Sequence, residues 1–324
     1  MNFFINSQKI NQLVRPANNI LIAIHQNPDA DALGSLLAIN EWLDSLGKQY
    51  TNFCAEFKTK VVDFFLFDYD SIISDPNDLI KQEYDLLIVL DSGDLKHAGL
   101  VEILPRLSFS SGIINIDHHA TNKNFGEVNL VNAEAVSTTE IIYQLFRFLK
   151  IDITPKIATA LLAGIIYDTY SFTNPNTTYN CLETASVLLL SGARLPAIND
   201  SILKNKTVGI LKLWGKVLAR LSRNDEFNIV TTVITQNDLQ SQDKPEEVTD
   251  GIANFLNNLS DVNAVLILQQ QENGLVKGSL RTNNDLIDVS NLAKILGGGG
   301  HRKAAGFSVA GELIRDKDGL WKIV

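Results

Sequence analysis

Histidine and aspartate side chains cluster at four points where an apolar run of this sequence gives way to polar residues. The clusters are HQNPDAD at residues 25–31, DSGD at 91–94, DHH at 117–119 and a single aspartate at 168. Carboxylate and imidazole groups together suit Mn²⁺, Fe²⁺, Co²⁺ or Zn²⁺, whereas Ca²⁺ prefers oxygen ligands alone. The candidate metal-binding or catalytic residues are therefore His25, Asp29, Asp31, Asp91, Asp117, His118, His119 and Asp168.

These carboxylates would repel one another if nothing balanced their charge. Two carboxylates about 4 Å apart repel by roughly 4 kcal/mol at an effective dielectric constant near 20. A site that collects several of them must take up protons or bind cations. Because four or more carboxylates are accompanied by two or three imidazoles, two metal ions suit the site better than one. Two ions about 3.5–4 Å apart are the usual arrangement for phosphoryl hydrolysis, in which one activates water and the other polarises the phosphate.

Most of these residues, taken alone, also have a purely structural explanation. Asp31 could cap a helix that begins at Ala32, and residues 91–94 could form an ordinary loop. Asp168 could cap a helix or pair with an arginine. The adjacent histidines are harder to explain in this way, because the chain contains only five histidines and four of them lie in Gly- or Asp-rich loops. The combination therefore favours a metal site.

A parallel α/β sheet would bring the four clusters to one edge. Short apolar runs predict three buried strands, at residues 19–24, 85–90 and 112–116. Helical periodicity predicts helices between and after them, at residues 32–46, 138–149, 155–167 and 180–190. Strands that alternate with helices indicate a parallel sheet with helices on both faces. Such sheets bind ligands beyond the carboxyl ends of their strands, which is where the clusters lie.

The composition changes after about residue 191, which predicts a second domain. We expect a first domain over residues 1–192, a linker over 193–206 and a smaller domain over 207–324. The second domain has predicted strands at residues 227–235, 264–270 and 276–282, and predicted helices at 208–221, 246–259 and 289–296. The predicted fold class is therefore α/β, with a parallel-sheet domain followed by a smaller mixed-sheet α/β domain.

Charge and hydropathy argue against several classes of protein. The 324 residues include 28 Lys and Arg against 37 Asp and Glu, a net charge of −9, which disfavours a protein that coats duplex nucleic acid. The N-terminus lacks the pattern of a signal peptide, and no apolar stretch approaches the roughly 20 residues that span a bilayer. Two distant cysteines match no zinc spacing. We expect a cytoplasmic protein that does not associate with membranes.

Taken in order, the clusters resemble the motifs of the DHH phosphoesterase superfamily. The matching segments are HQNPDADALGS at 25–35, DSGD at 91–94, DHH at 117–119, GIIYDT at 164–169 and, in the manner of a DHH-associated domain, GGGGHRKAAGF at 297–307. The nanoRNase type is the most similar branch. The resemblance implies an enzyme that hydrolyses short oligoribonucleotides to nucleoside monophosphates, and 3′-phosphoadenosine 5′-phosphate (pAp) to AMP and phosphate, by two-metal activation of water.

The resemblance also implies a role for each side chain of the clusters. One Mn²⁺ ion would be bound by His25, Asp29 and Asp91. A second would be bound by Asp31, Asp91, His118 and Asp168, so that Asp91 would be shared. The catalytic residues would be His119, which would face the scissile phosphate, and Asp117, which would orient a histidine or support the metal site.

The C-terminal motif would bind the far end of the substrate. Successive glycines let backbone N–H groups approach an anion without obstruction by Cβ atoms, and a helix beginning near Arg302 would add positive potential. The implied substrate-binding residues are Arg281, Gly298, Gly299, Gly300 and His301. The partners would be short single-stranded RNA, pAp or dinucleotides, and the chain could form a homodimer.

Two departures from the family pattern and three alternative functions remain open at this point. Tyr170 stands where glycine is common, and His97 stands where arginine is common. One alternative is a cyclic or linear dinucleotide phosphodiesterase of the same superfamily. Another is a family II inorganic pyrophosphatase, which uses different C-terminal basic motifs. The third is a non-catalytic nucleotide-binding module, which would be expected to have lost metal ligands, whereas all of them are present here.

Overall fold

The chain folds into two compact units, Met1–Asn205 and Lys206–Val324. The structure is a computed structural model. It describes residues 3–57, 71–107, 109, 112–202, 207–239, 251–253, 255–271, 273–317 and 321–324. Within the predicted linker, Leu195–Ile202 form a helix, and the first unit extends to Asn205. Residues 203–206 of that linker lie outside the described part of the chain.

The first unit contains a six-stranded sheet and helices of very different lengths. Its strands are β1 Asn19–Ile24, β2 Gln49–Phe53, β3 Ile72–Ile73, β4 Leu86–Leu90, β5 Ile113–Asp117 and β6 Val128–Val131. Its helices are α1 Phe3–Val14, α2 Ala30–Ser45, α3 Pro76–Leu79, α4 Thr138–Leu149, α5 Pro155–Asp168, α6 Tyr179–Leu190 and α7 Leu195–Ile202, with a short 3₁₀ helix at Leu104–Arg106.

All strands of this sheet are parallel, in the order β3-β2-β1-β4-β5-β6. The direction of winding reverses at β1, which lies between β2 and β4. The carboxyl ends of β1 and β4 therefore flank the point at which open α/β sheets bind ligands. The three predicted strands are present. The sequence analysis missed β2, β3 and β6, which are short or contain several polar residues (QYTNF, II and VNLV).

Both faces of the sheet are covered, as the predicted fold class requires. Successive residues of β1 point to opposite faces, so Ile20, Ile22 and Ile24 enter one hydrophobic core while Leu21 and Ala23 enter the other. The first core packs against helices α1, α2, α4 and α5. The second packs against α3 and the 3₁₀ segment. The parallel α/β prediction is confirmed for this unit.

The second unit is built on a mixed sheet, as predicted. Its strands are β7 Ser222–Asn224, β8 Ile229–Ile234, β9 Ala264–Gln270, β10 Leu275–Arg281, β11 Gly299–His301, β12 Ala304–Ala310, β13 Leu313–Arg315 and β14 Trp321–Ile323. The helices of this unit that are described from end to end are α8 Val208–Leu218, α9 Gln236–Leu239 and α10 Val289–Ile295. The main sheet has the order β11-β12-β10-β9-β8-β7, in which only the β8–β9 pair is parallel.

One predicted helix of the second unit, residues 246–259, is described only in part. Residues 251–253, 255 and 256 are helical, whereas 246–250 and 254 lie outside the described residues. Ile252, Ala253 and Leu256 pack in a core with Val265 and Ile267 on one face of the sheet. The described helical residues lie within the predicted helix, but the observed helix ends at Leu256 rather than at Leu259.

Among the described residues, no single helix is both long and apolar enough to cross a membrane. Helices α6 and α7 meet that criterion only as a pair, which is bent by 115° at the break. Four of their buried side chains, Cys181, Ala185, Leu188 and Ile198, belong to the core of the first unit.

Candidate metal centre

The carboxyl ends of three neighbouring strands and the end of one helix surround a single cavity. His25 follows β1, Asp91 follows β4, Asp117 ends β5, and Asp168 is the last residue of α5. The cavity has a volume of about 320 Å³. It is lined by His25, Asp29, Asp91, His97, His118, His119, Val136, Asp168 and Asn176.

Asp91 lies among the imidazoles of the site. Its Oδ2 atom is 3.5 Å from His25 Nε2, and its Oδ1 atom is 3.7 Å from both His118 Nε2 and His119 Nδ1. The side chain is 2% exposed. Burial raises the pKa of Asp91, but the close approach and charge of His25, together with the charges of His118 and His119, hold it below its usual range. This carboxylate faces candidate ligands on both sides.

Asp29 is the N-cap of α2 as well as a candidate ligand. Its Oδ1 atom accepts hydrogen bonds from the backbone N–H of Asp31 at 2.9 Å and of Ala32 at 3.1 Å. The alternative in which Asp31 caps a helix beginning at Ala32 is therefore wrong, because the helix begins at Ala30 and the cap is Asp29. The same Oδ1 atom lies 3.9 Å from His25 Nε2.

Asp31 lies in the first turn of α2, and its carboxylate is buried against the start of α4. Its Oδ2 atom accepts from the Thr138 N–H at 2.6 Å, and its Oδ1 atom accepts from the N–H and the hydroxyl of Thr139 at 2.9 and 2.6 Å. Burial, together with the charges of Asp91 and Asp29, raises the pKa of Asp31 well above its usual value.

Asp168 carries a buried oxygen that lacks a hydrogen-bond partner among the described residues. This atom, Oδ2, is 3.5 Å from His118 Nε2. Burial and the charges of Asp31, Asp29 and Asp91 raise the pKa of Asp168 well above its usual value. The C-terminal end of a helix also disfavours a negative charge. A cation would satisfy this oxygen and offset the repulsion between the carboxylates.

Three groups of side chains bring their ligand atoms within 4.8 Å of one another. They are His25 with Asp29 and Asp91, Asp31 with His118 and Asp168, and Asp91 with His118 and His119. The first two groups contain the residues that the family resemblance assigns to separate ions. Together with the unpartnered Asp168 oxygen, this set of carboxylate and imidazole donors fits divalent cations.

Asp117 lies behind the cavity and holds two loop residues in place. It is fully buried, and its Oδ1 atom accepts from the His118 N–H at 2.9 Å and lies 2.7 Å from His119 Nδ1. Its Oδ2 atom accepts from Asn122 Nδ2 at 2.5 Å. The bond to Asp117 raises the pKa of His119 to about 9 despite partial burial. Sequence reasoning missed Asn122, and its only signal was a polar residue just after the DHH cluster.

His25 is enclosed between carboxylates and a second imidazole. Burial lowers the pKa of His25, but the nearby carboxylates of Asp29 and Asp91 raise it to about 11. Its ring stacks on that of His97, with centroids 5.1 Å apart and planes 11° from parallel. His97 therefore covers one face of the candidate ligand His25. The sequence analysis did not include His97 among the metal ligands.

Comparisons with known proteins cover most of the chain. Residues 19–165 match the DHH family, N-terminal domain, and residues 226–318 match the DHHA1 domain. The bifunctional oligoribonuclease and PAP phosphatase NrnA of Thermus thermophilus is 31% identical over 90% of this chain and 84% of its own length. This chain belongs to the DHH family.

Two other comparisons span nearly the whole chain. The cyclic-di-AMP phosphodiesterase GdpP of Geobacillus thermodenitrificans is 28% identical over 91% of this chain, which corresponds to 45% of GdpP. The crystal structure of an exopolyphosphatase-related protein from Bacteroides fragilis superposes with a TM-score of 0.86 at 23% identity. It covers 95% of this chain and 92% of that protein. The second comparison supports the fold.

The backbone after Asp168 adopts a conformation that favours glycine at the position of Tyr170. Tyr170, Ser171 and Phe172 have φ angles of +53°, +57° and +65°, in the left-handed region that favours glycine. Tyr170 is not among the residues that line the cavity. Asn176, a few residues further on, does line it. The sequence analysis missed Asn176, because an asparagine in a polar loop carries no distinguishing signal.

The glycine-rich motif of the DHHA1 domain forms a β-hairpin. Residues 302 and 303 make the turn between β11 and β12, and α10 ends at Ile295. The expected helix near Arg302 is therefore wrong. A Cβ on Gly298 would come within 3.0 Å of Gly306 and Phe307, and one on Gly300 would come as close to Ala305. These two glycines let the strands of the hairpin approach.

The hairpin places two predicted substrate-binding residues on the two strands that flank β12. Arg281 on β10 and His301 on β11 both pair with Ala304, which lies between them on β12. Arg281 donates through Nη1 to the Leu280 carbonyl at 3.0 Å. A Cβ on Gly299 would meet no atom within 4 Å. The side chain of His301 lies outside the described part of the chain.

Proposed function

We propose that this chain is a metal-dependent phosphoesterase that hydrolyses short oligoribonucleotides to nucleoside monophosphates, and pAp to AMP and phosphate. The observation that carries this proposal is the buried carboxylate of Asp91, which faces His25 on one side and His118 on the other. The similarity to NrnA of Thermus thermophilus, named for both activities, supports the choice of substrates. We propose that the enzyme acts in the cytoplasm, where short RNA arises.

The metal in this proposal is a pair of divalent cations, with Mn²⁺ as the preferred ion. One ion would be held by His25, Asp29 and Asp91, and the other by Asp31, Asp91, His118 and Asp168. The mixed donor set supports Mn²⁺ over Ca²⁺, and Mn²⁺ is the ion that the resemblance to the DHH family implies. When bound, such ions lower the pKa of water and polarise the phosphoryl group.

The chain's own residues would orient the substrate and control a proton. Asp117 binds the Nδ1 atom of His119, so the Nε2 atom is available to contact the scissile phosphate or the leaving group. Asn122 holds Asp117 from the other side, which fixes the orientation of the histidine ring. His119 is thus the proposed catalytic residue, and Asp117 is its positioning residue.

The DHHA1 domain would bind the far phosphate of the substrate. Arg281, Gly298, Gly299, Gly300 and His301 are the proposed binding residues. The open space beside Gly299 and the register that aligns Arg281 with His301 support this assignment. An enzyme that binds one end of its substrate in this way would favour short molecules.

Arg281→Ala and His301→Ala should each raise KM for the RNA dinucleotide and leave the bound metal unchanged. A hydrogen bond between charged groups contributes about 1.5–3 kcal/mol, so KM should rise roughly 10- to 100-fold. Steady-state kinetics and metal analysis of the purified variants would measure both quantities. Lys277→Ala, on the same strand as Arg281, is the matched control. Loss of metal from the His301 variant would contradict the assignment to substrate binding.

Product release from a 5′-labelled RNA dinucleotide tests the proposed function directly. The assay compares the dinucleotide, pAp and pyrophosphate, each with Mn²⁺ and with a chelator. Mononucleotide and AMP that form only with Mn²⁺ are the expected result. Cleavage of pyrophosphate alone would overturn the proposal in favour of a pyrophosphatase.

Cyclic dinucleotides are the second candidate substrate class. The similarity to the cyclic-di-AMP phosphodiesterase GdpP over 91% of this chain favours this alternative. Hydrolysis of cyclic di-AMP with no release of mononucleotide from linear RNA would select it. The homodimer stays a prediction, which sedimentation of the purified protein would check.

A further inference from the structure

We propose that Thr138 and Thr139, at the start of α4, are positioning residues that set the orientation of Asp31 and Asp91 for metal binding. The inference rests on the proposed function, because it takes these two carboxylates as ligands. Both threonines are fully buried. No comparison or motif assigned either of them a role.

Thr138 contacts both carboxylates through different atoms. Its backbone N–H donates to Asp31 Oδ2 at 2.6 Å, and its hydroxyl donates to Asp91 Oδ1 at 2.9 Å. A single residue therefore connects the carboxylate after β4 with the carboxylate on α2. Because the side chain is buried, bulk water does not compete for these bonds.

Thr139 orients Asp31 alone. Its N–H and its hydroxyl both donate to Asp31 Oδ1, at 2.9 and 2.6 Å. The carboxylate therefore accepts three bonds at the N-terminal end of α4, where the helix dipole favours a negative charge. With these bonds in place, Asp31 has little freedom to rotate.

The start of α4 is itself held by a hydrogen-bond network. Ser137 is the N-cap and accepts from the Glu140 N–H at 3.1 Å, while Glu140 Oε2 accepts from the Val136 N–H at 2.8 Å. Ser137 Oγ lies 2.8 Å from Thr139 Oγ1. Because the one hydroxyl proton of Thr139 goes to Asp31, Ser137 must donate in this pair. Each donor toward Asp31 thus has a defined direction.

The two hydroxyls should affect the two ions differently. Asp91 is the proposed shared ligand, so loss of the Thr138 hydroxyl should weaken the binding of both ions. Asp31 belongs to one proposed ligand set, so loss of the Thr139 hydroxyl should weaken one ion only. Valine preserves the shape of threonine and removes the hydroxyl, whereas serine keeps it. Removal of such a partner typically lowers metal affinity about 10- to 100-fold.

Calorimetric titration with Mn²⁺ alone, together with electron paramagnetic resonance of the bound ion, tests this inference on the full chain. Thr138→Val should bind both ions about 10- to 100-fold more weakly, and Thr139→Val should lose affinity at one site. Thr138→Ser and Thr139→Ser should restore wild-type binding. The matched control is Thr159→Val, because the buried Thr159 hydroxyl donates to the Pro155 carbonyl at 2.6 Å, away from the candidate ligands.

Mn²⁺ affinities at wild-type values in Thr138→Val and Thr139→Val would overturn the inference and leave the proposed function standing. A wild-type protein that binds no Mn²⁺ would overturn the proposed function, and the inference with it. If Thr138→Val does not fold, Thr138→Ala provides the same comparison. Equal loss of affinity in the Thr159 control would also contradict a specific positioning role.

Discussion

Asp91→Asn is expected to abolish hydrolysis of the RNA dinucleotide and of pAp, with kcat reduced by about 10³-fold or more. The reason is that Asp91 is the proposed shared ligand, and metal ions contribute several kcal/mol to phosphoryl hydrolysis, where each 1.4 kcal/mol is a factor of ten. Asparagine has the size of aspartate and also tolerates the left-handed φ of +53° at this position. The substitution should therefore remove the charge without unfolding the chain. Initial rates at saturating Mn²⁺ measure the effect.

Asp75→Asn is the control for this substitution. Asp75 caps α3, and asparagine is an equally good N-cap, so wild-type activity and stability are expected. Metal content of both variants would be measured beside the rates. An Asp91→Asn enzyme that turns over at close to the wild-type rate would exclude the shared-ligand assignment.

Gly164→Ala is expected to impair both stability and metal binding. A Cβ at this position of α5 would come within 3.0 Å of Asp31 Oδ1 and of Thr139 Oγ1, which are joined by a hydrogen bond. The methyl group would therefore displace the Asp31 side chain or push α5 away from α2 and α4. Overpacking of this kind typically costs about 1–3 kcal/mol. Thermal unfolding without metal and titration with Mn²⁺ would measure the two effects separately.

Gly215→Ala makes the same chemical change in a helix where there is space for it. A Cβ on Gly215 of α8 would meet no atom within 4 Å. Alanine in a helix interior is more favourable than glycine by roughly 0.5–1 kcal/mol, so this control should be slightly more stable than the wild type. Its Mn²⁺ affinity should be unchanged. Wild-type Mn²⁺ affinity in Gly164→Ala would show that the carboxylate of Asp31 is not needed in its present position.

The HRKAAGF segment shows where local sequence is a poor guide to secondary structure. HRKAAGF is compatible with the start of a helix, and Ala304 and Ala305 favour one. In the structure Ala304 and Ala305, together with the residues that follow them in β12, instead pair with β10, which gives them backbone partners along a full strand. Long-range pairing decided the conformation of this segment, since each strand hydrogen bond involves a residue distant in sequence.

The sequence by itself determined the fold class and the chemistry of the candidate site. The apolar runs before His25 and Asp91 predict buried parallel strands, and the polar residues that follow such strands must meet at one sheet edge. Residue types and order in these clusters were also sufficient to indicate the family. These features are local, because strand periodicity and the position of polar residues after a strand are readable in a single segment.

Only the tertiary structure decided which groups support the candidate ligands. Thr138 lies 107 residues from Asp31, and its two bonds to carboxylates depend on how α4 packs against α2 and β4. Asn122 and Asn176 likewise look like ordinary loop residues until the chain folds. Hydrogen-bond donors of this kind are common throughout the sequence, and burial next to an acceptor, which packing alone creates, distinguishes the few that position a site.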